Sequence, residues 1–366
     1  MKTSTLLSAL ALTLLPVLSS SATAGTAAQA EALVQEYQRS VRLWETEYRL
    51  AKTPREQQAV TERRPKPADT GARLREAIRG NLGRDWTLPY CAWLLENDPT
   101  LRDGHQRSLL MAVESHHTLS PKVGRFCIAL VNLRQSSNVV KPGTVPLRKR
   151  GLALLKTIRT KNPDPKVQGQ AALAISMMMA ALGDDHRIIG ERRTYLREAI
   201  IKSAEVKVGN TTVAKLAAEE IYKMKNLSKG STAIDVVGVD SGGRPLQLSA
   251  FRGKVVMLVF WSSYDLPLAQ MSQIMKLLRK TVDSHTTDPF VMLGVNRDSR
   301  ENLRALEADS IATWRSFSDT EGKISHTYRV SRWPYCIVID KKGIIRYSGN
   351  LGTFAHATAN DLLRQK

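Results

Sequence analysis

The chain has 366 residues, and 42% of them are hydrophobic, which is enough for two domains with sizeable cores. Its three cysteines are too few for a small disulfide-stapled protein. The formal net charge is +20, and +15 of it lies in the first 230 residues, because residues 231–366 carry only 18 Lys and Arg against 13 Asp and Glu. Such an excess attracts anionic surfaces, but no basic run interleaves with aromatic residues as in a nucleic-acid platform. A solvated basic surface without a partner is the alternative.

The first 24 residues have the pattern of a secretory signal peptide. Lys2 supplies a positive charge, the run from Leu6 to Leu18 is apolar but too short to span a bilayer, and Ala22-Thr23-Ala24 fits a cleavage site. We predict cleavage after Ala24 and an exported protein, periplasmic or otherwise extracytoplasmic, with an uncleaved anchor as the alternative. Export also argues against nucleic acid as a partner.

Residues 25–225 show helical periodicity almost throughout and predict an all-α domain. The predicted helices span 27–52, 70–79, 107–114, 121–133, 147–160, 166–182, 191–206 and 211–225, with one more that starts at 85. Thr70 and Asp85 are the expected N-caps of two of them, and the polar stretch 136–146 is a predicted loop. Glu219 and Lys223 stand at i,i+4 spacing, which is typical of an exposed helix face. The helix pairs indicate an α-solenoid or an irregular bundle without a named repeat.

The cysteines and histidines of the chain do not form a recognisable metal site. Cys91 and Cys127 both lie in the helical half and can bridge, but we favour the interpretation that they are small buried hydrophobic residues. The seven histidines have no ligand spacing of the usual kinds, and no glycine loop that would hold a phosphate occurs. We therefore expect no cofactor and no metal.

The pattern changes after residues 226–232, a polar segment that we interpret as a linker. Short apolar runs then alternate with helical segments. The predicted strands are 234–239, 246–249, 255–260, 290–295, 314–317, 336–339 and 344–347, and the predicted helices are 267–282, 299–308, 323–328 and 356–364. This order predicts an α/β domain over residues 233–366 with a mixed central sheet.

Five motifs of this second half occur together in the order and spacing of a known family. They are Leu248 to Val256, Phe260 to Tyr264, Leu293 to Asn296, Val330 to Pro334, and Ile337 to Ile345. With them, residues 232–366 resemble the TlpA-like and AhpC/TSA-like thioredoxin-fold proteins, the exported thiol–disulfide oxidoreductases and their peroxidase relatives. The resemblance implies a thioredoxin-like fold for this half. More weakly, the helical half is similar to the extension that precedes such domains in some exported proteins.

The resemblance also shows what is missing, because Asp265-Leu266-Pro267-Leu268 stands where redox-active relatives have Cys-X-X-Cys. Asp265 takes the position of the attacking thiol and Leu268 that of the resolving thiol, so the site is degenerate. Thiol–disulfide exchange needs both thiols, and peroxidase chemistry would need one at the same turn. A carboxylate at Asp265 is instead a good N-cap, and Pro267 fits the start of a helix. Trp261 and Tyr264 flank the turn as structural residues.

Two further positions are assigned by the resemblance. Pro334 corresponds to the cis-proline that faces the redox turn in relatives, and we predict a cis bond, with an ordinary strand-start proline as the alternative. Trp333 precedes it, where relatives carry a smaller or polar residue that offers its backbone to a substrate. A large aromatic residue there is expected to change or block that docking edge.

Cys336 is the one thiol that is close in sequence to this site. A lone thiol there can in principle form a mixed disulfide, but a buried strand position is the interpretation that we favour. Asp265 as a general base is a weaker possibility, because no histidine or nucleophile is identifiable beside it.

These observations support three hypotheses. The leading one is an exported, non-catalytic binding or structural module with a protein partner at the vestigial site. The alternative is a thiol–disulfide oxidoreductase or antioxidant protein that works through Cys336 or through thiols of a partner, although fold analogy alone is weak support. The third is an adaptor whose basic helical half binds an anionic component of the cell envelope.

Overall fold

A computed structural model of the chain describes residues 25–51, 53–134, 145–264 and 268–365. The predicted signal peptide, most of the predicted loop at 136–146 and the turn 265–267 lie outside these residues. The described residues form a helical region (25–226) and a sheet domain (232–365), which confirms the predicted fold class of an all-α part followed by an α/β part with a mixed sheet. None of the described helices is both long and apolar enough to cross a membrane.

The described helices of the helical region agree with the predicted ones in most places. They are α1 (Ala27–Leu50), α2 (Pro54–Glu62), α3 (Pro67–Ile78), α4 (Leu88–Asn97), α5 (Asp103–His116), α6 (Gly124–Ala129), α7 (Leu147–Lys161), α8 (Pro165–Met179), α9 (His186–Ser203) and α10 (Val213–Asn226). A short hairpin of β1 (Lys207–Val208) and β2 (Thr211–Thr212) separates α9 from α10. Neither α2 nor this hairpin was expected from the sequence pattern.

Two of the predicted N-caps are wrong. Helix α3 begins at Pro67 rather than after Thr70, because proline is well suited to the first turn of a helix, where its missing N–H is not needed. Asp85 opens a short 3-10 turn before α4, and its carboxylate accepts a hydrogen bond from Ser120 Oγ at 2.8 Å and contacts His117 Nδ1 at 2.9 Å. It therefore joins two segments instead of capping a helix.

Helix α8 forms the centre of the helical core. It is apolar on nearly all sides, so it is stable only when other helices cover it, here α6, α7 and α9. Gly169 allows the close approach of α9, since a Cβ atom at that position would lie 2.3 Å from Ser203 Oγ. Cys91 and Cys127 are free and buried in the same core, which confirms that they act as small hydrophobic residues.

The sheet domain alternates strands and helices as predicted. Its elements are β3 (Val237–Val239), β4 (Pro245–Gln247), β5 (Val255–Trp261), α11 (Leu268–Asp283), β6 (Phe290–Asn296), α12 (Arg300–Ala308), β7 (Ser316–Ser318), α13 (Lys323–Thr327), β8 (Tyr335–Ile339), β9 (Ile345–Asn350) and α14 (Thr353–Arg364). Five of the strands form one sheet in the order β7-β6-β5-β8-β9. Strands β5, β6 and β7 are parallel, whereas β8 and β9 are antiparallel to their neighbours.

The position of β5 at the centre of the sheet follows from its sequence. Each of its seven residues is buried, because helices α11 and α14 cover one face of the sheet and the segments around α13 cover the other. A strand that is covered on both faces has a continuous rather than an alternating apolar pattern. The carboxyl end of β5 therefore leads directly from the core to the turn at 265–267.

The helical region and the sheet domain are joined by more than a linker. Tyr222 of α10 donates a hydrogen bond from its hydroxyl to the Thr327 carbonyl at 2.9 Å, and the Arg329 guanidinium lies 4.0 Å from the Tyr222 ring centre. Arg329 also forms an ion pair with Glu219. Glu219 and Lys223, which stand at i,i+4 spacing, are both 44% exposed but do not pair with each other, since Lys223 pairs with Glu220 at 3.0 Å.

The end of the predicted linker at 226–232 lies alongside the first residue of β9 and is hydrogen-bonded to it. The Gly230 N–H donates to the Ile345 carbonyl at 2.8 Å, and the Ile345 N–H donates to the Ser231 carbonyl at 2.9 Å. These bonds pair the chain with the sheet before β3 begins. The connection is consequently held against the sheet domain rather than extended through solvent.

Candidate functional site

The strand side of the site is formed by the end of β5 and the residues that follow it. Trp261 is 1% exposed and packs edge to face on Trp314 with 5.9 Å between ring centres. Ser262 is buried, and Ser263 and Tyr264 are half-buried. Burial raises the pKa of Tyr264; a hydrogen bond with Ser263 acts in the opposite direction.

The turn itself carries the predicted substitutions. Asp265 and Pro267 lie outside the described residues, and of Leu268 only the backbone is described, as the first residue of α11. The N-cap role of Asp265 and the roles of Pro267 and Leu268 therefore stay predictions. The sequence itself has no cysteine between residues 128 and 335.

The proline side of the site is the loop before β8. The Trp333–Pro334 peptide bond is cis, which confirms the prediction from the motif. The next residue, Tyr335, pairs with Phe260 in the sheet, so Pro334 lies beside the end of β5. The structure thus brings the cis-proline loop next to the strand that leads into the turn.

Trp333 packs on the sheet face opposite to Trp261. Its ring lies 6.1 Å from Phe260 in an edge-to-face arrangement, whereas Trp261 belongs to the core on the α11 and α14 side. The Arg297 guanidinium lies 4.7 Å from the Trp333 ring centre. Of the two predicted tryptophans, only Trp333 borders a surface cleft, and Trp261 is a core residue.

Cys336 is not available for chemistry in this structure. Its side chain is 0% exposed within the core on the α11 and α14 side, where its backbone pairs with Val259 and Gly349. Burial raises the pKa of the Cys336 thiol far above its usual range. Burial likewise raises the pKa of Cys91 and of Cys127 to about 12. Because the thiolate is the reactive form, none of these three thiols has the environment of a nucleophile.

A buried carboxylate that was not singled out from the sequence organises the strand side of the turn. Asp298 is 3% exposed, and every hydrogen bond that its oxygens accept comes from an uncharged donor. The donors are Ser262 Oγ at 2.6 Å, the Ser263 N–H at 3.1 Å, Asn302 Nδ2 at 3.2 Å and Asn296 Nδ2 at 3.3 Å. Asp298 therefore fixes the backbone immediately before residues 264–267.

The sequence contained a signal for this carboxylate. Asn296 and Asp298 follow β6 directly, and the carboxyl ends of neighbouring parallel strands are where polar groups of an α/β sheet gather around a ligand. Within the described residues, no three His, Cys, Asp or Glu side chains come together as metal ligands. The Asp298 network holds Ser262 and Ser263, the residues that follow β5.

A cleft runs between the cis-proline loop and α10. One part has a volume of about 490 Å³ and is lined by Trp333, Arg297 and Ser331 of the sheet domain and by Leu216 and Lys223 of α10. A second part, of about 450 Å³, also includes Ser331 and Lys223 and adds Arg332, Tyr335 and Ser348. Both parts are formed by the helical region and the sheet domain together.

The charges along this cleft are mostly positive. Lys223 and Arg329 are paired with glutamates of α10, but Arg332 is exposed and makes no ion pair within the described part of the chain. Arg297 lies against the Trp333 ring. An anionic or hydrogen-bonding segment of a partner would find complementary groups here.

Comparison with known proteins assigns the sheet domain to a family. Residues 229–348 match the model of the AhpC/TSA family. The chain is 26% identical over 157 residues to the thiol-disulfide oxidoreductase ResA of Geobacillus thermodenitrificans (strain NG80-2), a match that covers 43% of this chain and 86% of that protein.

Solved structures of thiol–disulfide oxidoreductases are also similar. A thioredoxin domain from Bacteroides vulgatus is 22% identical, with 38% of this chain and 100% of that chain covered and a TM-score of 0.34. A thiol-disulfide oxidoreductase from Bacteroides fragilis NCTC 9343 is 23% identical, with 36% and 100% covered and a TM-score of 0.33. The sheet domain, most of which matches the AhpC/TSA family model, thus has a thioredoxin-like fold and follows a helical region.

Proposed function

We propose that this chain is an exported thioredoxin-fold protein that has lost the CxxC redox pair and acts as a non-catalytic module, binding a protein partner beside the former redox turn. The observation that carries the proposal is the burial of Cys336, the one thiol of the sheet domain, together with the absence of cysteine at Asp265 and Leu268. Without an accessible thiolate, neither exchange with a disulfide nor reaction with a peroxide can begin.

The binding part of the proposal rests on what the site retains. The cis-proline loop is present, the Asp298 network holds the strand side of the turn, and α10 adds a second wall to the cleft. Trp333 together with Arg297 offers an aromatic and a cationic surface of the kind that is common at protein interfaces. Export is supported by the pattern of residues 1–24.

The alternative is a thiol–disulfide oxidoreductase, as the names of ResA and of the similar structures state for those proteins. It would require Cys336 to leave the core or a partner to supply both thiols. The raised pKa of Cys336 and its complete burial give no support to the first route.

An assay of insulin reduction and of peroxide consumption on residues 25–366 tests the catalytic part. We expect no activity above the background of the reductant. The double variant Asp265→Cys/Leu268→Cys should gain insulin reductase activity, because it would restore a Cys-X-X-Cys turn at the start of α11. The matched control is Asp265→Ser/Leu268→Ser. Activity of the unmodified protein that Cys336→Ser abolishes would contradict the proposal.

A photo-crosslinker placed at Arg332 tests the binding part in cells. We expect a discrete adduct from this position and none from Phe354, which is 78% exposed but lies away from the cleft. The adduct should be lost when Trp333 is changed to Ala. Identical adducts from both positions, or no adduct at Arg332, would contradict binding at this cleft.

A further inference from the structure

A surface groove between α9 and α10 lies outside the site described above. It has a volume of about 470 Å³, and its apolar part includes the isoleucines Ile200, Ile201 and Ile221. Their exposed fractions are 37%, 75% and 42%, so three branched aliphatic side chains meet solvent in one place. Contiguous exposed apolar surface of this kind marks an interaction site more often than isolated exposed residues do.

The same groove is bordered by cations that have no partner. Arg193, Arg197 and Lys225 line it, and within the described residues none of the three forms an ion pair or a side-chain hydrogen bond, whereas no Asp or Glu lines the groove. Other cations of the same helices are paired: Arg192 with Glu220 at 3.0 Å and Lys202 with Glu198 at 2.8 Å. Arg187 and Lys215 of the same helices also make no ion pair within the described residues, but they lie outside the groove, which is where unpaired cations and exposed isoleucines come together.

The spacing along α9 separates an apolar end from a charged end. Arg197 and Arg193 are one and two i+4 steps before Ile201, so all three lie along one side of the helix, roughly 6 and 12 Å apart along its axis. The polar headgroup layer of a bilayer is about 5–8 Å thick on each side. A side chain that enters the acyl boundary at Ile201 would thus leave Arg197 at the level of the headgroups and Arg193 just above them, where its long side chain extends towards the phosphates.

From this arrangement we propose that the groove between α9 and α10 docks the protein on a bilayer surface that contains anionic phospholipid. Ile201 and its neighbours enter the interface, and Arg193, Arg197 and Lys225 contact lipid phosphates. A lipid surface fits better than a protein segment, because the most exposed isoleucine protrudes rather than lining a closed pocket and the groove offers cations but no acceptor side chain. The charge of +15 on the first 230 residues adds long-range attraction.

Vesicle co-sedimentation of residues 25–366 tests the proposal. With vesicles of equal parts phosphatidylglycerol and phosphatidylcholine in about 0.025 M salt, we expect binding at least about tenfold tighter than with pure phosphatidylcholine. About 0.5 M salt should remove most of the difference, since it shortens the Debye length to a few ångströms. No preference for the anionic vesicles at low salt would overturn the proposal.

Matched variants test whether binding to the vesicles occurs at the groove or comes only from the overall positive charge of the protein. We expect Arg193→Gln/Arg197→Gln and, separately, Ile201→Gln to weaken binding to the anionic vesicles about tenfold and about threefold respectively. The controls Lys166→Gln/Arg187→Gln and Leu182→Gln change exposed residues outside the groove and should leave binding within about twofold. Equal losses from control and groove variants would overturn the defined site.

A soluble acidic peptide tests whether the groove prefers a lipid surface or a protein helix. A synthetic amphipathic peptide rich in Glu and Leu should bind residues 25–366 more weakly than the anionic vesicles do. If the peptide binds as tightly, and Ile201→Gln weakens it equally, the groove recognises an acidic helix and the lipid proposal is wrong. None of these results depends on residues 265–268, so they are independent of the redox assay.

Discussion

Two buried aspartates, one from each half of the molecule, are satisfied in different ways, although other buried aspartates of the sheet domain, such as Asp240 with Arg315, also form ion pairs. In the helical region, Asp98 is 1% exposed and forms an ion pair with Arg75 of α3. In the sheet domain, Asp298 is 3% exposed and receives only uncharged donors. The first carboxylate ties two helices together, whereas the second holds the backbone before the degenerate turn.

The difference indicates where each half has kept its functional surface. The helical region has buried ion pairs between neighbouring segments, such as Asp98–Arg75 and Glu220–Arg192. Its cations Arg193, Arg197 and Lys225, which make no ion pair within the described residues, lie on the surface, at the groove between α9 and α10. The sheet domain gathers polar groups at the carboxyl end of β5 and β6. The carboxyl end of β5 and β6 therefore has an ordered polar scaffold immediately before residues 265–268, where the sequence has no cysteine.

The largest expected effect concerns the thiols, which should be equally inert in both halves. With the pKa of Cys91 and Cys127 raised from 9.0 to about 12, the thiolate fraction at neutral pH falls about a thousandfold, and burial slows access further. Ellman's reagent should detect no thiol on the time scale of minutes in the folded protein and three after denaturation. If one thiol reacted rapidly in the folded protein and Cys336→Ser abolished this reaction, the sheet domain would have a reactive thiol that the helical region lacks. That result would support the oxidoreductase alternative.

The next effect tests the contrast between the two aspartates directly. Asp298→Asn would keep one acceptor oxygen but replace the other by an amide donor that faces two or three of the present donors, so we expect the free energy of unfolding to fall by about 3 kcal/mol. Asp98→Asn should cost about half as much, because the Arg75 side chain is 22% exposed and can be solvated. Urea unfolding of both variants gives the comparison.

A surface control is available for the same measurement. Asp309 is exposed at the end of α12, and Asp309→Asn should change the free energy of unfolding by no more than about 0.5 kcal/mol. If Asp298→Asn behaved like this control, the carboxylate would not hold the turn in the way that its hydrogen bonds indicate.

Most of the fold could be predicted from the sequence because local periodicity decides which element forms. The change from helical to strand periodicity near residue 230, and the order of the elements after it, follow from that pattern. Helix α2 was missed because its sequence has no apolar stripe. It is held by tertiary contacts, namely burial of Val60 and a 2.8 Å hydrogen bond from Trp44 Nε1 to the Val60 carbonyl.

Only those parts of the candidate site that belong to a recognisable sequence motif could be predicted. The cis bond before Pro334 came from motif register, whereas the contacts of Arg297 with Trp333 and of Arg329 with Glu219 join segments that are distant in sequence. No local spacing encodes such pairs. Helical periodicity placed Glu219 on an exposed face but could not show that its ion-pair partner, Arg329, comes from the sheet domain.

The smallest expected effect tests whether the two halves are energetically coupled through α10. Arg329 lies over the Tyr222 ring and pairs with Glu219, which is 44% exposed, so solvent screens the pair. We expect Arg329→Ala to lower the free energy of unfolding by about 1 kcal/mol, the sum of a modest cation–π contact and a weak ion pair. Arg329 has a φ of 51°, and alanine bears a similar backbone cost there, so the change reports on the side chain.

A double-mutant cycle makes this last prediction specific to the junction. The coupling energy between Arg329→Ala and Glu219→Ala should be about 0.5 kcal/mol, and it should shrink in high salt, because one partner is half exposed. Arg332→Ala serves as the control, since Arg332 is exposed and makes no ion pair within the described residues. Additive effects of Arg329→Ala and Glu219→Ala would mean that this ion pair does not couple the halves. The hydrogen bond from Tyr222 to the Thr327 carbonyl would then be the next contact to test at the same junction.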